Sequence, residues 1–374
     1  MHLQKLSLVN FKNIEDLEVQ FSPNLNCFIG DNGAGKTNLM DAIYYLSFCK
    51  SFLNSTDALN VNHAADFFLI KGDYQNAGGV ESVHCGMKQG QKKSFKCNKK
   101  EYQRLADHIG RLPLIVVTPS DQDLIIGGSE ERRKFIDALI SQYDSAYLDA
   151  LMRYNKVLLQ RNKLLKQFHQ ERSFSSDSLE VWDDQLAIYG HKIHAKRSEY
   201  IEQLKPIFQH YYELISGGKE EINLQYKSQL SNAQLSDLLL DARDKDRMLQ
   251  YTSVGVHRDD VEFDLGGYSL KKIGSQGQKK TYLVAIKLAQ FDFVKQMSSI
   301  TPIILLDDIF DKLDSRRVEQ IVTLVAQQHF GQVFITDTNR ENLDVIIRKL
   351  EADYKIFKVD SGCIQELENE EIKN

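Results

Sequence analysis

The octapeptide Gly30-Asp31-Asn32-Gly33-Ala34-Gly35-Lys36-Thr37 constrains this chain more than any other stretch. It satisfies every fixed position of G-x-x-x-x-G-K-[ST], the pattern of a loop that wraps a phosphate. Glycines let successive backbone N–H groups turn toward an anion, and the following helix points its positive end at the same place. Lys36 is placed to reach β- and γ-phosphates, and the Thr37 hydroxyl to ligate Mg²⁺. The flanks supply the context that the motif needs. "NCFI" reads as a short apolar strand, and "TNLMDAIYYLSF" puts Leu39, Ile43 and Leu46 on one side of a helix. A merely decorative turn is the weaker reading of a loop so flanked.

A second signal lies far downstream. "PIILLDDIFDKLD" is an apolar run ending in Asp307-Asp308. Open α/β sheets bind ligands at the carboxyl ends of their strands, where these acids would emerge. Beside a phosphate loop, Asp307 is placed to hold Mg²⁺ through water and Asp308 to orient or deprotonate an attacking water. Without that loop, a solvated acid pair closing a strand would be the better reading.

Between these signals the pattern changes twice. The opening segment alternates, with Leu3, Lys5, Ser7 and Val9 on one face and Leu6, Leu8 and Asn10 on the other; residues 66–118 are strand-rich. From Ser129 to about Asp246 apolar residues recur at three- and four-residue spacing, with one break at "HQERSFSSDSL". Strands resume near Thr252, and "QHFGQVFITDT" is a further short apolar strand. The expectation is an α/β fold with mixed sheets: residues 1–125 and 250–374 form one discontinuous domain, and 126–249 an inserted helical arm.

Bulk properties exclude more than they assign. No run of about 18 apolar residues is present, so no membrane span is expected, and the N-terminus lacks the features of a signal peptide. Five scattered cysteines with no C-x-x-C pair support neither a disulfide framework nor a zinc site, and point to a reducing cytoplasm. The net charge of −5 argues against a polycation, but local patches decide nucleic-acid binding. The densest basic stretch, "MKQGQKKSFKCNKKEYQR", makes Lys92, Lys93, Lys99 and Lys100 candidates for a DNA-backbone track, evenly weighed against a solvated hairpin face. Arg132-Arg133-Lys134 and Arg161, Lys163 and Lys166 are weaker candidates, helix-surface charge being the simpler explanation. His191 and His194 lack further ligands for a metal. Trp182 reads as a core anchor of the arm, and His257-Arg258-Asp259-Asp260 as mainly structural.

The order of motifs resembles an ABC-type ATPase head of the SMC kind: a phosphate loop at 30, "GSQGQKK" at 274–280 and the acid-ended strand at 307. "PSDQDLIIGGSEERRKFID", "YNKVLLQRNKLLK", "VWDDQLAIYG" and "GVHRDDVEFDL" are similar to the RecF family of bacterial DNA repair proteins, and the likeness runs to about residue 340. The resemblance implies an ATP-gated clamp, a head-to-head homodimer with two ATP molecules sandwiched between subunits. It further implies weak DNA-stimulated hydrolysis, binding to single- and double-stranded DNA at gap junctions, action with RecO and RecR in loading RecA, and a part in replication and the SOS response to DNA damage. Read alone, "GSQGQKK" is a linker before a helix. In the family, the segment at Ser275, Gln276, Gly277 and Gln278 caps the opposite subunit's nucleotide, and Asp314 also carries over.

The chain departs from the family pattern at several points. Lys12 replaces an arginine in "NFKNI", and Asp311 a serine. Asp308 stands where many ABC ATPases have glutamate, and Asp337 and Thr338 follow Thr336 where a switch histidine is usual. Two other readings share part of this pattern. A transporter's nucleotide-binding subunit is disfavoured by the long helical insertion. A repair nuclease would need a further carboxylate or histidine–metal cluster, and the sequence offers none.

Overall fold

The structure, a computed structural model, describes residues 1–218, 220–309, 315–325, 330–338 and 353–367. Its phosphate-loop strand, Leu25–Ile29, is buried at every position but the last. A run of that kind suits a central parallel strand covered on both faces. It lies between Val333–Asp337 and Tyr354–Asp360 in a six-stranded sheet, continued by Ile303–Asp307 and Leu114–Val117 on one side and the antiparallel edge strand Cys363–Glu366 on the other. The parallel register sets Asp307 opposite Thr336 and Thr336 opposite Phe28. Gly30, Asp308 and Thr338 therefore leave the same edge.

A second six-stranded sheet is wholly antiparallel, in the order Ile14–Gln20, His2–Phe11, Phe67–Asn76, Gly79–Lys88, Ser94–Cys97, Lys100–Glu101. Here the expected alternation of the first strand is corrected. A register shift between Leu3 and Lys5 brings Leu3, Leu6 and Leu8 into one core, where strict alternation would divide them. The phosphate-loop helix, Lys36–Phe48, packs against both sheets, so Leu39, Ile43 and Leu46 share a core with Phe11 and Phe68 of one sheet and Phe28, Phe334 and Phe357 of the other. The helix Gln276–Ser298 is buried through most of its middle.

The chain divides into two compact units: Met1–Asp121, Tyr211–Gly218 and Ser275–Asn374 in one, Gln122–His210 and Lys219–Gly274 in the other. The expected return at residue 250 thus falls later, after Gly274. The cause is a strand inside the stretch read as helical. Ile222–Lys227, "INLQYK", pairs antiparallel with Asp260–Leu265, which pairs with Tyr268–Ser269, and so keeps residues 250–274 in the second unit. That unit's longer helices are Ser129–Tyr143, Ser145–Glu171 and most of Ser176–Ser216, with the short Asp123–Ile126, Leu235–Asp241, Arg243–Leu249 and Leu270–Ile273 beside them in sequence. Asp144 divides the first helical run, its carboxylate accepting from the Tyr147 N–H as an N-cap.

Buried charge organises the second unit. Arg161, fully buried, donates to Asp183 at 2.6 Å, Asp246 at 2.6 Å and Thr252 Oγ1 at 2.9 Å. Arg197 pairs with Asp137 and Asp259 and donates to the Val256 carbonyl. The H-R-D-D segment is held throughout. His257 Nε2 bonds the Thr252 carbonyl at 3.0 Å and its Nδ1 meets Tyr154 Oη at 2.8 Å; Arg258 also reaches Thr252 O. Since a carbonyl only accepts, the ring carries its proton on Nε2 and takes one from tyrosine. Asp259 accepts from Tyr226, and Asp260 takes Arg132 through both nitrogens at 2.6 and 2.9 Å. Arg132 and Arg161 are therefore internal ties, not candidates for a nucleic-acid surface, and Arg133 donates to the Asp259 carbonyl.

Candidate nucleotide site

The phosphate loop leaves its strand at Gly30, where a Cβ would stand 2.2 Å from the Val359 carbonyl oxygen of the adjacent strand. Only glycine allows that approach. Gly35 caps the helix with φ +114°, a left-handed conformation that side chains resist. The loop is braced from outside. Asn13 Nδ2 donates to the Ala34 carbonyl at 3.3 Å, Gly362 N donates to the same oxygen at 2.8 Å, and Asn38 Nδ2 donates to Asn13 Oδ1 at 2.7 Å. Asp31 and Asn32 stand exposed on the loop, as does Gly33, whereas Ala34 is buried.

Lys36 is nearly buried and donates to two carbonyls of its own loop, Gly30 O at 2.6 Å and Asp31 O at 2.9 Å. Burial pulls its pKa down, while Asp308, Asp307, Asp337 and Asp31 push it up. Thr37 Oγ1 donates to the Asp307 carboxylate at 3.0 and 3.1 Å, across 270 residues of chain. Asp307 also accepts from Thr336 Oγ1 at 2.7 Å, and Thr336 Oγ1 accepts from the Asp308 N–H at 3.0 Å. Burial raises the pKa of Asp307, the hydroxyls of Thr336 and Thr37 acting against it. Asp308 is half-buried with φ +49°. Aspartate enters that left-handed region more readily than most side chains, which favours the shorter acid here.

Among the described residues no cluster of three or more His, Cys, Asp or Glu could hold a metal. Mg²⁺ keeps waters and substrate oxygens and needs only one or two protein oxygens. The paired oxygens of Thr37 and Asp307 are hard donors of that kind. The Lys12 ammonium pairs with buried Asp41 of the phosphate-loop helix, which also accepts from Ser51 Oγ and Phe52 N.

Ser275 and Gln278 form a reciprocal cap at the start of the helix Gln276–Ser298: Gln278 N donates to Ser275 Oγ at 3.2 Å and Ser275 N to Gln278 Oε1 at 2.8 Å. Ser275 and Gln276 are exposed, and Gly277 lies against the Arg317 guanidinium. Asp314 lies outside the described residues. Sequence reasoning gives Thr336 and Asn13 no role although both lie in quoted segments; strand register brings Thr336 to Asp307, and loop packing brings Asn13 to Ala34.

The basic stretch splits. Lys93 is turned inward, donating to Cys49 O at 2.6 Å and Tyr45 Oη at 3.2 Å and pairing with Asp57 at 2.8 Å. It is a brace of the fold and leaves the set of backbone-contact candidates. Lys92, Lys99 and Lys100 are exposed, with Lys99 at a hairpin turn.

Comparison with known proteins extends the geometry. The model of the RecF/RecN/SMC N-terminal domain matches residues 2–365. A DNA replication and repair protein RecF from Bacteroides fragilis (strain YCH46) is 53% identical over 372 residues, covering 99% of this chain and all of that protein. The RecF of Flavobacterium johnsoniae is 46% identical and covers 96% of this chain and all of its own length. A solved structure of the recombination mediator protein RecF with ATP, of the RecFOR pathway, superposes with a TM-score of 0.89 at 29% identity, covering 98% of each chain. An SMC head domain from Pyrococcus furiosus shares the fold at a TM-score of 0.58 and 17% identity, covering 100% of this chain and 98% of its own.

Proposed function

The chain belongs to the RecF branch of the RecF/RecN/SMC family, and from that premise we propose that it is an ATP-operated protein of DNA repair and replication restart. Two copies close head to head on ATP at single-strand gaps and duplex junctions, and slow, DNA-stimulated hydrolysis reopens them. The observation that carries this reading is the convergence of Lys36, Thr37, Asp307 and Asp308 at the carboxyl ends of two parallel strands that flank Val333–Asp337.

The chain's own groups have distinct tasks. Glycine-rich backbone cradles the β-phosphate, and Lys36 exchanges its two loop carbonyls for phosphate oxygens. Thr37 and Asp307 would hold Mg²⁺, whose chemistry is to neutralise charge growing on the transferring phosphoryl group. Asp308 holds or deprotonates the attacking water. The exposed Ser275 hydroxyl and the Gly277 N–H, at the positive end of a long helix, face the partner's γ-phosphate, and Gln276, Gln278 and Asp314 line the same contact. Cooperation with RecO and RecR in loading RecA, and a cytoplasmic location, follow from the family. No helix among the described residues is long and apolar enough to cross a membrane, and nothing favours the transporter reading.

Light scattering of the full chain with and without ATP and gapped DNA tests this. The expected result is an ATP-dependent dimer that persists in Asp308→Asn, because hydrolysis is blocked, and never forms in Ser275→Arg, which still binds ATP. Monomers under every condition would remove the clamp.

A further inference from the structure

Two hydroxyls hold the Asp307 carboxylate, and they are not equivalent. Thr37 sits at the loop–helix junction, where its oxygen is claimed by bound Mg²⁺ in the proposed ATPase. Thr336 lies in the interior of the neighbouring strand, fully buried, with its backbone committed to the parallel ladder. Its single hydroxyl proton goes to Asp307 Oδ1 at 2.7 Å, and its oxygen accepts the Asp308 N–H at 3.0 Å. One buried oxygen thus touches both acidic residues, the first through its carboxylate and the second through its backbone.

The Asp308 bond matters because that residue leaves the strand in a left-handed turn. A conformation that most side chains resist persists only where neighbouring contacts hold it. The bond to Thr336 is such a contact, and the direction of the Asp308 side chain follows from the turn it fixes. We propose that Thr336 is the positioning residue of the hydrolytic site: it holds the Asp307 carboxylate when Thr37 turns away to its ligand, and sets the turn that aims Asp308. The inference rests on the ATPase reading and adds to it a residue to which the sequence assigned no role. Valine would fill the same space without either bond; serine would keep both.

The test uses the full-length chain and the variants Thr336→Val and Thr336→Ser, with hydrolysis measured across ATP and Mg²⁺ concentrations. Outer ligands of metal sites typically contribute about 10- to 100-fold in activity or metal affinity. Thr336→Val should therefore lose kcat by about that factor and require more Mg²⁺ for half-maximal rate. Binding of ATP in EDTA should stay within about twofold of wild type, because the phosphate loop is untouched. Thr336→Ser should recover most of kcat. A packing role alone would leave Thr336→Val, which fills the same space, at the wild-type rate and Mg²⁺ requirement, and would make Thr336→Ser the less stable variant by its lost methyl group. Should the valine chain fail to fold, Thr336→Ala against Thr336→Ser makes the same comparison. Wild-type kcat in Thr336→Val, or a serine variant as slow as the valine one, overturns the assignment. A wild-type chain that hydrolyses no ATP sinks the ATPase reading, and this inference with it.

Discussion

Lys36 and Arg161 are both cations drawn below the surface, and they differ in what holds them. Lys36 donates to two carbonyl oxygens of its own loop, neutral partners that an incoming phosphate outcompetes. Arg161 donates to two carboxylates and a hydroxyl from three separate segments. One charge is parked and the other is locked. The same contrast extends to the acids. Asp307 is buried against hydroxyls and its ionised form is disfavoured, whereas Asp183 and Asp246 each meet a guanidinium. A site that must exchange partners gives its cation neutral acceptors; the scaffold gives its cation carboxylates.

The largest expected effect separates the two cations. Arg161→Leu leaves two buried carboxylates short of a partner and should cost about 3–5 kcal/mol in denaturant unfolding. Lys36→Met should move that midpoint little, within about 0.5 kcal/mol, while hydrolysis falls by about 10²- to 10³-fold. An Arg161→Leu chain with a wild-type midpoint would erase the contrast.

Acid sharpens it through signs. Burial depresses the His257 pKa to about 4, so between its ordinary value and that point the unfolded chain binds a proton that the folded one does not. Stability should fall as pH drops across this window, by on the order of 3 kcal/mol, and less in His257→Gln. Asp307 works the other way. Its raised pKa means that the ionised carboxylate penalises the fold at neutral pH, and that penalty lifts as pH falls through the folded value. Asp307→Asn should therefore raise the melting temperature by roughly 2–4 °C near pH 7, with the gain shrinking in acid, while abolishing hydrolysis.

The smallest effects concern the basic stretch. Lys93→Ala should lose about 1 kcal/mol of stability, since Tyr45 and Cys49 are buried and Asp57 half-buried. Changing Lys92, Lys99 and Lys100 together to Ala should leave stability alone and flatten the slope of log K against log salt for DNA, by up to about 0.9 for each phosphate that these lysines neutralise. An unchanged slope removes that surface from the DNA-binding face.

What the sequence disclosed follows the same division. The phosphate loop is legible because its geometry is local: glycines, a lysine and a threonine within eight positions dictate one backbone path. The acid pair was legible because an apolar run cannot continue through Asp307-Asp308. Thr336 was not, because its role arises from register with a strand 29 residues away. Arg161 and Lys93 look like surface charge until partners 85 and 44 residues distant are placed beside them. The strand Ile222–Lys227 was hidden within helical neighbours although its burial alternates, and missing it displaced the expected boundary from 275 to 250.

The position of Leu25–Ile29 between Val333–Asp337 and Tyr354–Asp360 has a consequence for synthesis on the ribosome. The phosphate loop emerges long before its sheet, because both strands that flank its own are encoded roughly 300 residues later. At about 5–20 residues per second, the nascent loop waits some 15–60 s for its sheet. A chain cut short before Ile303 would carry the whole signature motif and none of the acid-lined edge that makes use of it.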